Sequence, residues 1–318
     1  MRYRTLPRTA WSVSEIGYGM WGMGGWTGSD DVESGQALDR AVALGCNFFD
    51  TAWVYGQGHS ERLLAGLLRR HPDRRLFIAT KVPPRNFQWP GTASTPARDA
   101  FPFDHIIEYT RISLENLGVD AIDVQQLHVW DDSWTSDDGW KRAVAELKRQ
   151  GLIHAFGISV NRWQPENVLK ALETGLVDSV QVVHNLFDQA PEDVLFPVCQ
   201  RLGIAVISRV PFDEGSLTGT LTADSRWPES DFRNLYFSGS NLSQTLERVE
   251  PLKAFASERR LALPDLALRY ILAHPAVTTA IPGMRRLRNV EANIASSDAP
   301  PLDEAAMTFL RAQRWSRA

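Results

Sequence analysis

The stretch "CNFFDTAWVYGQGHSE" (residues 46–61) joins three unlike pieces: an apolar run ending at Asp50, a loop carrying Tyr55, and a helix start at Ser60. Strand, polar loop and helix form the unit of a parallel sheet, because parallel neighbours require a long crossover between them. The unit recurs. Short runs rich in Val, Ile and Phe appear at "SEIGYG" (14–19), "CNFFDTA" (46–52), "LFIATKV" (76–82) and "AIDVQQLHV" (121–129). Four more follow at "IHAFGISV" (153–160), "SVQVVHNLF" (179–187), "GIAVISRV" (203–210) and "TTAIPG" (278–283). Segments with helical spacing fill the intervals, among them "SDDVESGQALDRAVALG", "SERLLAGLLRR", "FDHIIEYTRISLENLG", "GWKRAVAELKRQG", "PENVLKALETG" and "PEDVLFPVCQRLG". Ser60, with Glu61 in the first turn, reads as a helix cap, and Gly45, Gly118, Gly151, Gly175 and Gly203 read as helix stops.

This alternation predicts an α/β fold with a parallel sheet, and eight units over about 300 residues fit a closed (β/α)8 TIM barrel. An open doubly wound sheet would need a G-x-G-x-x-G turn after its first strand, and in "GYGMWGMGG" aromatic and methionine side chains interrupt the glycines. No linker divides the chain, so residues 1–318 read as one (β/α)8 domain. The opening "RYRTLPRTAWSVSE" predicts an N-terminal β-hairpin closing the bottom of the barrel. "VPPRNFQWPGTASTPARDAFP" and "FDEGSLTGTLTADSRWPESDFRNLYFSGS" are long βα loops, a length that marks lids, binding loops or contacts to a second subunit more often than filler.

The 318 residues, 43% of them hydrophobic, suffice for a large core. A net charge of −4, with Lys and Arg spread along the chain, argues against a nucleic-acid partner. No apolar run approaches the roughly 20 residues of a membrane helix, and the start lacks the apolar core of a signal peptide, so the expectation is a cytoplasmic protein. Cys46 and Cys199 lie in apolar surroundings without C-x-x-C spacing and read as buried, reduced thiols.

In a barrel of this kind, chemistry gathers where strands end, so the informative residues are the polar ones just past each apolar run. Asp50 ends the second strand, Tyr55 follows it, Lys81 ends the third and His128 the fourth. Each alone has an ordinary structural reading as a turn brace, rim ring, solvated amine or satisfied core histidine. Together they form a proton donor with its supports. Tyrosine loses its proton near pH 10 and exchanges it poorly at neutral pH unless a cation lowers that value. Lys81 supplies the cation, Asp50 pairs with the ammonium, and His128 can hydrogen-bond the oxygen that Tyr55 protonates. No metal-ligand cluster, nucleophile elbow or P-loop is present to generate the negative charge such a donor would meet, whereas hydride arriving at a carbonyl would do so.

These residues resemble those of the aldo-keto reductase family, whose members are (β/α)8 barrels using a nicotinamide cofactor. "DTAWVYGQGHSE" is similar to the family's D-T-A-x-x-Y-G pattern followed by S-E, and "SLENLGVDAIDVQQLH" to the approach to its histidine. "LIHAFGIS" resembles its fifth strand and "IPGMRRLRNVEAN" its cofactor segment after the eighth, so the likeness spans nearly the whole chain. It implies Tyr55 as general acid in reduction and base in oxidation, tuned by Lys81 and Asp50, with His128 orienting the carbonyl. It further implies Met20 and Trp21 in the first cofactor loop and Ser159 and Gln181 at the nicotinamide carboxamide. Along the pyrophosphate it implies Arg209, Pro211, Phe212, Gly215 and Leu217, and around the adenosine Gly283, Arg285, Asn289 and Asn293. Guanidinium groups suit a 2′-phosphate, so Arg285, Arg286 and Arg288 favour NADP(H) over NAD(H).

Eleven tryptophans are many for this length, and Trp21, Trp26, Trp53, Trp89, Trp130 and Trp134 fall after the first four strands. They are expected at the mouth, with Trp21, Trp53, Trp89 and Trp130 against a bulky, largely uncharged aldehyde, ketone or alcohol. A cofactor-binding sensor or regulatory subunit with little turnover is the alternative of a different class, since fold alone does not fix function. A barrel lyase or isomerase would need a phosphate or metal site that the sequence does not display.

Overall fold

The computed structural model describes residues 1–25, 28–229 and 231–315. The first strands, β1 (Tyr3–Leu6) and β2 (Trp11–Ser14), form an antiparallel hairpin. Eight strands follow: β3 (Tyr18–Gly19), β4 (Phe48–Asp50), β5 (Phe77–Val82), β6 (Ile122–Leu127), β7 (Ile153–Ser159), β8 (Ser179–Val183), β9 (Ala205–Arg209) and β10 (Val277–Ala280). Each pairs in parallel with its successor. The circle closes where Gly17 N–H donates to Ala280 O at 2.8 Å and Gly19 N–H to Pro282 O at 3.0 Å. A Cβ on Gly19 would lie 2.5 Å from Ile281 O, so the closure requires glycine there.

Helices α1 (Asp31–Ala43), α2 (His59–Arg70), α3 (Ala97–Ala100), α4 (Phe103–Leu117), α5 (Asp138–Arg149), α6 (Leu169–Glu173) and α7 (Leu195–Leu202) lie in the first six crossovers. Then come α8 (Arg233–Tyr236), α9 (Asn241–Glu258), α10 (Leu263–Ala273), α11 (Leu287–Asp298) and α12 (Glu304–Arg311). Their apolar faces and the outward side chains of the strands make the larger core, which holds Phe49, Ile78, Phe156, Trp140 and Leu266. Gly118 and Gly203 end α4 and α7 in the left-handed conformation, with φ of 65° and 64°, as the helix-stop reading expects. Ser60 differs from its expected role. The cap of α2 lies two residues earlier, at Gly58, and the buried Ser60 hydroxyl instead accepts from Thr51 Oγ1 at 2.8 Å. Glu61 is also buried, and accepts from Thr80 Oγ1 at 2.7 Å and Asn116 Nδ2 at 2.8 Å, which ties α2 to β5 and α4.

The inward face of the barrel places the site. Side chains alternate along a strand, so residues two apart share a face. Phe48, Phe77, Ala79, Val124, Ala155, Ala205 and Ile207 form one buried cluster with Leu6 and Val13 of the hairpin, which plugs the bottom as expected. Two residues further toward the mouth, the same face reads Asp50 after Phe48, Lys81 after Ala79, Gln126 after Val124 and Arg209 after Ile207. One period-two pattern therefore yields an apolar floor and a polar upper layer. The interior is tight: a Cβ on Gly157 would stand 2.3 Å from Ser179 Oγ and 3.0 Å from Gln126 Cγ.

Both cysteines are free and buried, and burial pushes each thiol up to about 12, which makes them unreactive. No helix among the described residues is long and apolar enough to cross a membrane.

Candidate active site

At the mouth, Lys81 Nζ is wholly buried and donates to Asp50 Oδ1 at 2.6 Å and to Thr51 O at 2.7 Å. Asp50 Oδ2 accepts from Gln181 Nε2 at 2.7 Å and Gln126 Nε2 at 3.2 Å. The carboxylate is thus held by three side chains from three other strands. Gln126 was not singled out in the sequence, although its place two residues before His128 on one strand face is a readable signal. Gln181, expected to hold a carboxamide, spends its amide N–H on Asp50 while still lining the cavity.

Tyr55 sits beside this pair, 8% exposed, with Lys81 Nζ 5.2 Å from its ring centre. The sequence reading expects the cation to bring the phenol below its ordinary value. Burial reverses that result. Desolvation raises it most, Lys81 and Arg209 pull it down, Asp50 pushes it up, and the net shift is upward. Tyr55 is therefore held as a neutral proton carrier. The His128 ring stands edge-on to Tyr55 at 5.9 Å and to Trp89 at 5.9 Å. Burial, then the charges of Lys81 and Arg209, hold His128 well below its ordinary value, so the imidazole is neutral. Its Nδ1 is buried without a hydrogen-bond partner among the described residues.

A cleft of about 630 Å³ runs from these groups across the mouth. Of the expected cofactor residues, Met20, Trp21, Gln181, Arg209, Pro211, Phe212, Gly215, Gly283, Arg285 and Asn289 line it. Ser159, Leu217 and Asn293 are buried and off the cleft wall. Its far end meets the start of α11, where Arg285 and Asn289 line the wall, a setting that suits anions. Tyr18 hydroxyl donates to Met284 O at 2.6 Å and so fixes the turn before that helix. The loop after β9 carries left-handed backbone at Val210, Asp213, Glu214 and Gly215, with φ of 54°, 48°, 54° and 104°. Three of these are non-glycine residues, a conformation that costs on the order of 1–3 kcal/mol each and collects at functional sites. A nicotinamide dinucleotide fits this donor set: an aromatic and glycine-lined trough, cationic at one end and proton-donating at the other.

The expected tryptophans divide. Trp21 and Trp89 line the cleft, 43% and 45% exposed. Trp53 stands off it, packed edge-on to Tyr109 at 4.9 Å. Trp130, expected against substrate, is instead fully buried, edge-on to Trp134 at 5.7 Å and Trp140 at 5.2 Å. Trp134 is core as well, its indole N–H donating to Thr95 O at 2.7 Å. Both belong to the segment after β6 that packs down on α5, so they turn inward. Trp26 lies outside the described residues. Trp89 owes its position to Asn161, whose amide exchanges hydrogen bonds with the backbone of Gly91 at 2.8 and 3.2 Å and pins the long loop after β5. Arg162, Glu214 and Phe232 also line the cleft and were not expected from the sequence. They come from two loops whose approach no local pattern encodes.

Residues 15–313 match the family model described as Aldo/keto reductase family. The chain is 27% identical to the NADH-specific methylglyoxal reductase of Escherichia coli (strain K12), covering 98% of each chain. It is 29% identical to a probable voltage-gated potassium channel subunit beta of Oryza sativa subsp. japonica, over 95% of this chain and 93% of the other. An aldo-keto reductase from Bacillus halodurans, solved in its holo form, superposes with a TM-score of 0.77 at 27% identity, covering 99% of this chain and 96% of that one. A polar strand-end cluster over an apolar barrel floor, and a family match across nearly the whole chain, identify this protein as a member of the aldo/keto reductase family and an NAD(P)H-dependent oxidoreductase of carbonyl compounds.

Proposed function

We propose that this chain reduces an aldehyde or ketone, or oxidises the corresponding alcohol, with Tyr55 as general acid and base and NADP(H) as the preferred cofactor. The observation that carries this reading is the buried Tyr55–Lys81–Asp50 group at one end of a cleft whose other end is cationic. When bound, the nicotinamide supplies a hydride to the carbonyl carbon and takes one back from the alcohol. Tyr55, protonated because burial raises it, gives its proton to the carbonyl oxygen as negative charge develops there. Lys81 stabilises the phenolate left behind, and Asp50 keeps the ammonium in position by a 2.6 Å bond. Gln126 and Gln181 in turn orient the carboxylate. Neutral His128 donates an N–H to the same carbonyl oxygen and fixes its direction. Trp21 and Trp89 shield the reacting centre from water. Arg285, beside the N-terminus of α11, supports the preference for a 2′-phosphate through charge-assisted hydrogen bonds.

Tyr55→Phe tests the central role: it should keep NADPH binding, followed by tryptophan fluorescence, and lose turnover. Undiminished turnover would reject Tyr55 as the proton donor. The rice relative's description favours a second reading, a cofactor-binding regulatory subunit. Tight NADPH binding without reduction of any carbonyl in a broad panel would select it.

A further inference from the structure

The reacting phenol is carried by an unusual piece of backbone. Directly after Tyr55, the residues Gly56, Gln57 and Gly58 are all left-handed, with φ of 69°, 51° and 82°. Glycine adopts that conformation freely, but Gln57 does so at a cost, and the run as a whole needs support from outside the turn. Backbone bonds close it: Gly58 N–H donates to Trp53 O at 2.6 Å and Ser60 N–H to Tyr55 O at 3.1 Å. One flank is pressed against the first cofactor loop, since a Cβ on Gly56 would lie 2.3 Å from Gly24 O. The other flank is covered by a side chain from a different crossover. A Cβ on Gly58 would lie 2.4 Å from Asn116 Nδ2, so this amide, in the last turn of α4, rests directly on the turn's backbone.

Asn116 is the middle of a chain of bonds. Its Nδ2 donates to Glu61 Oε2 at 2.8 Å, and its Oδ1 accepts at 3.1 Å from Arg62 Nη1, which also reaches Gln57 O at 3.4 Å. Glu61 is wholly buried and takes a second bond, 2.7 Å long, from Thr80 Oγ1. Both of these donors are neutral, so the buried carboxyl depends on each of them for its solvation. Thr80 precedes Lys81 on β5, and the two side chains point to opposite faces of that strand. The chain of bonds therefore begins behind Lys81, crosses α2 and α4, and ends on the turn that presents the phenol.

We propose that Asn116 is a positioning residue for the reaction: with Glu61 and Arg62 it locks the left-handed turn after Tyr55, and so sets where the phenol stands relative to Lys81. This rests on the reading of Tyr55 as the proton donor. Asn116 lines no part of the cleft, so its influence on turnover passes through the turn alone. A reacting group displaced by about 1 Å loses on the order of 100-fold in rate. A loosened turn also admits water to the phenol and weakens the desolvation that raises it.

The test removes the bond and then rebuilds it in reverse. Asn116→Ala should lower kcat for an aromatic aldehyde about 10- to 100-fold while the KM and the Kd for NADPH change by less than about 2-fold. The alkaline limb of its kcat profile should move to lower pH. The double variant Asn116→Asp/Glu61→Gln exchanges donor and acceptor between the two positions without altering the net charge, and should recover most of kcat and the wild-type limb. Arg70→Met breaks a different tie of α2, to Asp39, and should leave kcat unchanged. An Asn116→Ala enzyme that loses stability in urea but keeps its kcat and its pH profile would overturn the proposal, as would a double variant as stable as wild type whose kcat stays low. Should Asn116→Ala not fold, Arg62→Met takes its place, since it spares the bond between Asn116 and Glu61; it should lower kcat several-fold, and an unchanged value overturns the proposal. Were no carbonyl reduced by wild type, the reductase reading itself fails, and the positioning is then read without turnover. In ultraviolet difference titrations of wild type and Asn116→Ala, each against its own Tyr55→Phe counterpart, the phenol should ionise at lower pH in Asn116→Ala, and coincident titrations would reject the role of Asn116.

Discussion

Each end of the barrel buries a carboxylate surrounded by three side-chain donors, and the two carboxylates behave differently. At the bottom, Glu15 accepts from Arg2 Nε, Arg4 Nε and Ser297 Oγ, each at 2.9 Å, and joins the hairpin to α11. At the mouth, Asp50 accepts from Lys81 at 2.6 Å, Gln181 at 2.7 Å and Gln126 at 3.2 Å. The surroundings differ. Arg4 spends its remaining N–H groups on the carbonyls of Leu272, His274 and Val277, so the lower network closes on itself. Above Asp50, His128 Nδ1, Arg162 Nη1 and Arg209 Nε are left unmatched among the described residues. One motif therefore serves as a structural tie where its neighbours are satisfied and as a reactive support where they are not.

The sharpest break between the two ends lies in activity. Tyr55→Phe should lower reductive kcat by about 10²- to 10⁴-fold, the range for losing a positioned general acid, while Arg4→Met leaves kcat nearly unchanged. Steady-state turnover of an aromatic aldehyde measures both. Equal losses would mean that the lower network, too, supports the chemistry.

Stability should separate the ends next. Lys81→Met strands Asp50 in the interior and should cost about 3–5 kcal/mol of unfolding free energy. Asp50→Asn in the same chain should recover part of that loss. Arg4→Met leaves Glu15 with Arg2 and Ser297 and should cost only about 1–2 kcal/mol. Urea unfolding followed by tryptophan fluorescence distinguishes the two, and equal costs would show that Asp50 finds other compensation.

A subtler difference concerns pH. Because the folded state raises Tyr55, its proton stays bound past the unfolded value near 10, and the accompanying stability is lost only as pH rises through the folded value. Reduction should thus remain level from about pH 6 to about 9 and decline only above it. His128, held well below its ordinary value, should add no inflection near neutrality. A kcat profile falling between pH 7 and 8 would contradict the upward shift. The smallest expected effect is at the far end of the cleft: Arg285→Ala should weaken NADPH about 5- to 10-fold and NADH by less than about 2-fold, read as Kd by fluorescence.

The barrel was legible because its determinants are local. Apolar runs recur with period two, helices stop at glycines such as Gly118 and Gly203, and strand parity alone puts Asp50, Lys81 and Arg209 on one face above Phe48, Ala79 and Ile207. Tyr55 and His128 follow from strands that end just before them. Chain geometry fixes these relations before any contact forms across the molecule.

Tertiary structure decided the rest. Trp89 and Trp130 both follow barrel strands, and their composition and spacing are equivalent signals. Only the packing of one loop on α5, and the grip of Asn161 on Gly91 in the other, send Trp130 inward and leave Trp89 at the mouth. Burial likewise reversed the expected shift of Tyr55, a desolvation effect that belongs to the closed mouth and to no single residue. Arg162 meets Glu214 across 52 residues of chain. The sequence by itself determined which residues share the inner face, through the repeat of the backbone; which of them stay dry, paired or unmatched was settled only when loops from different strands met.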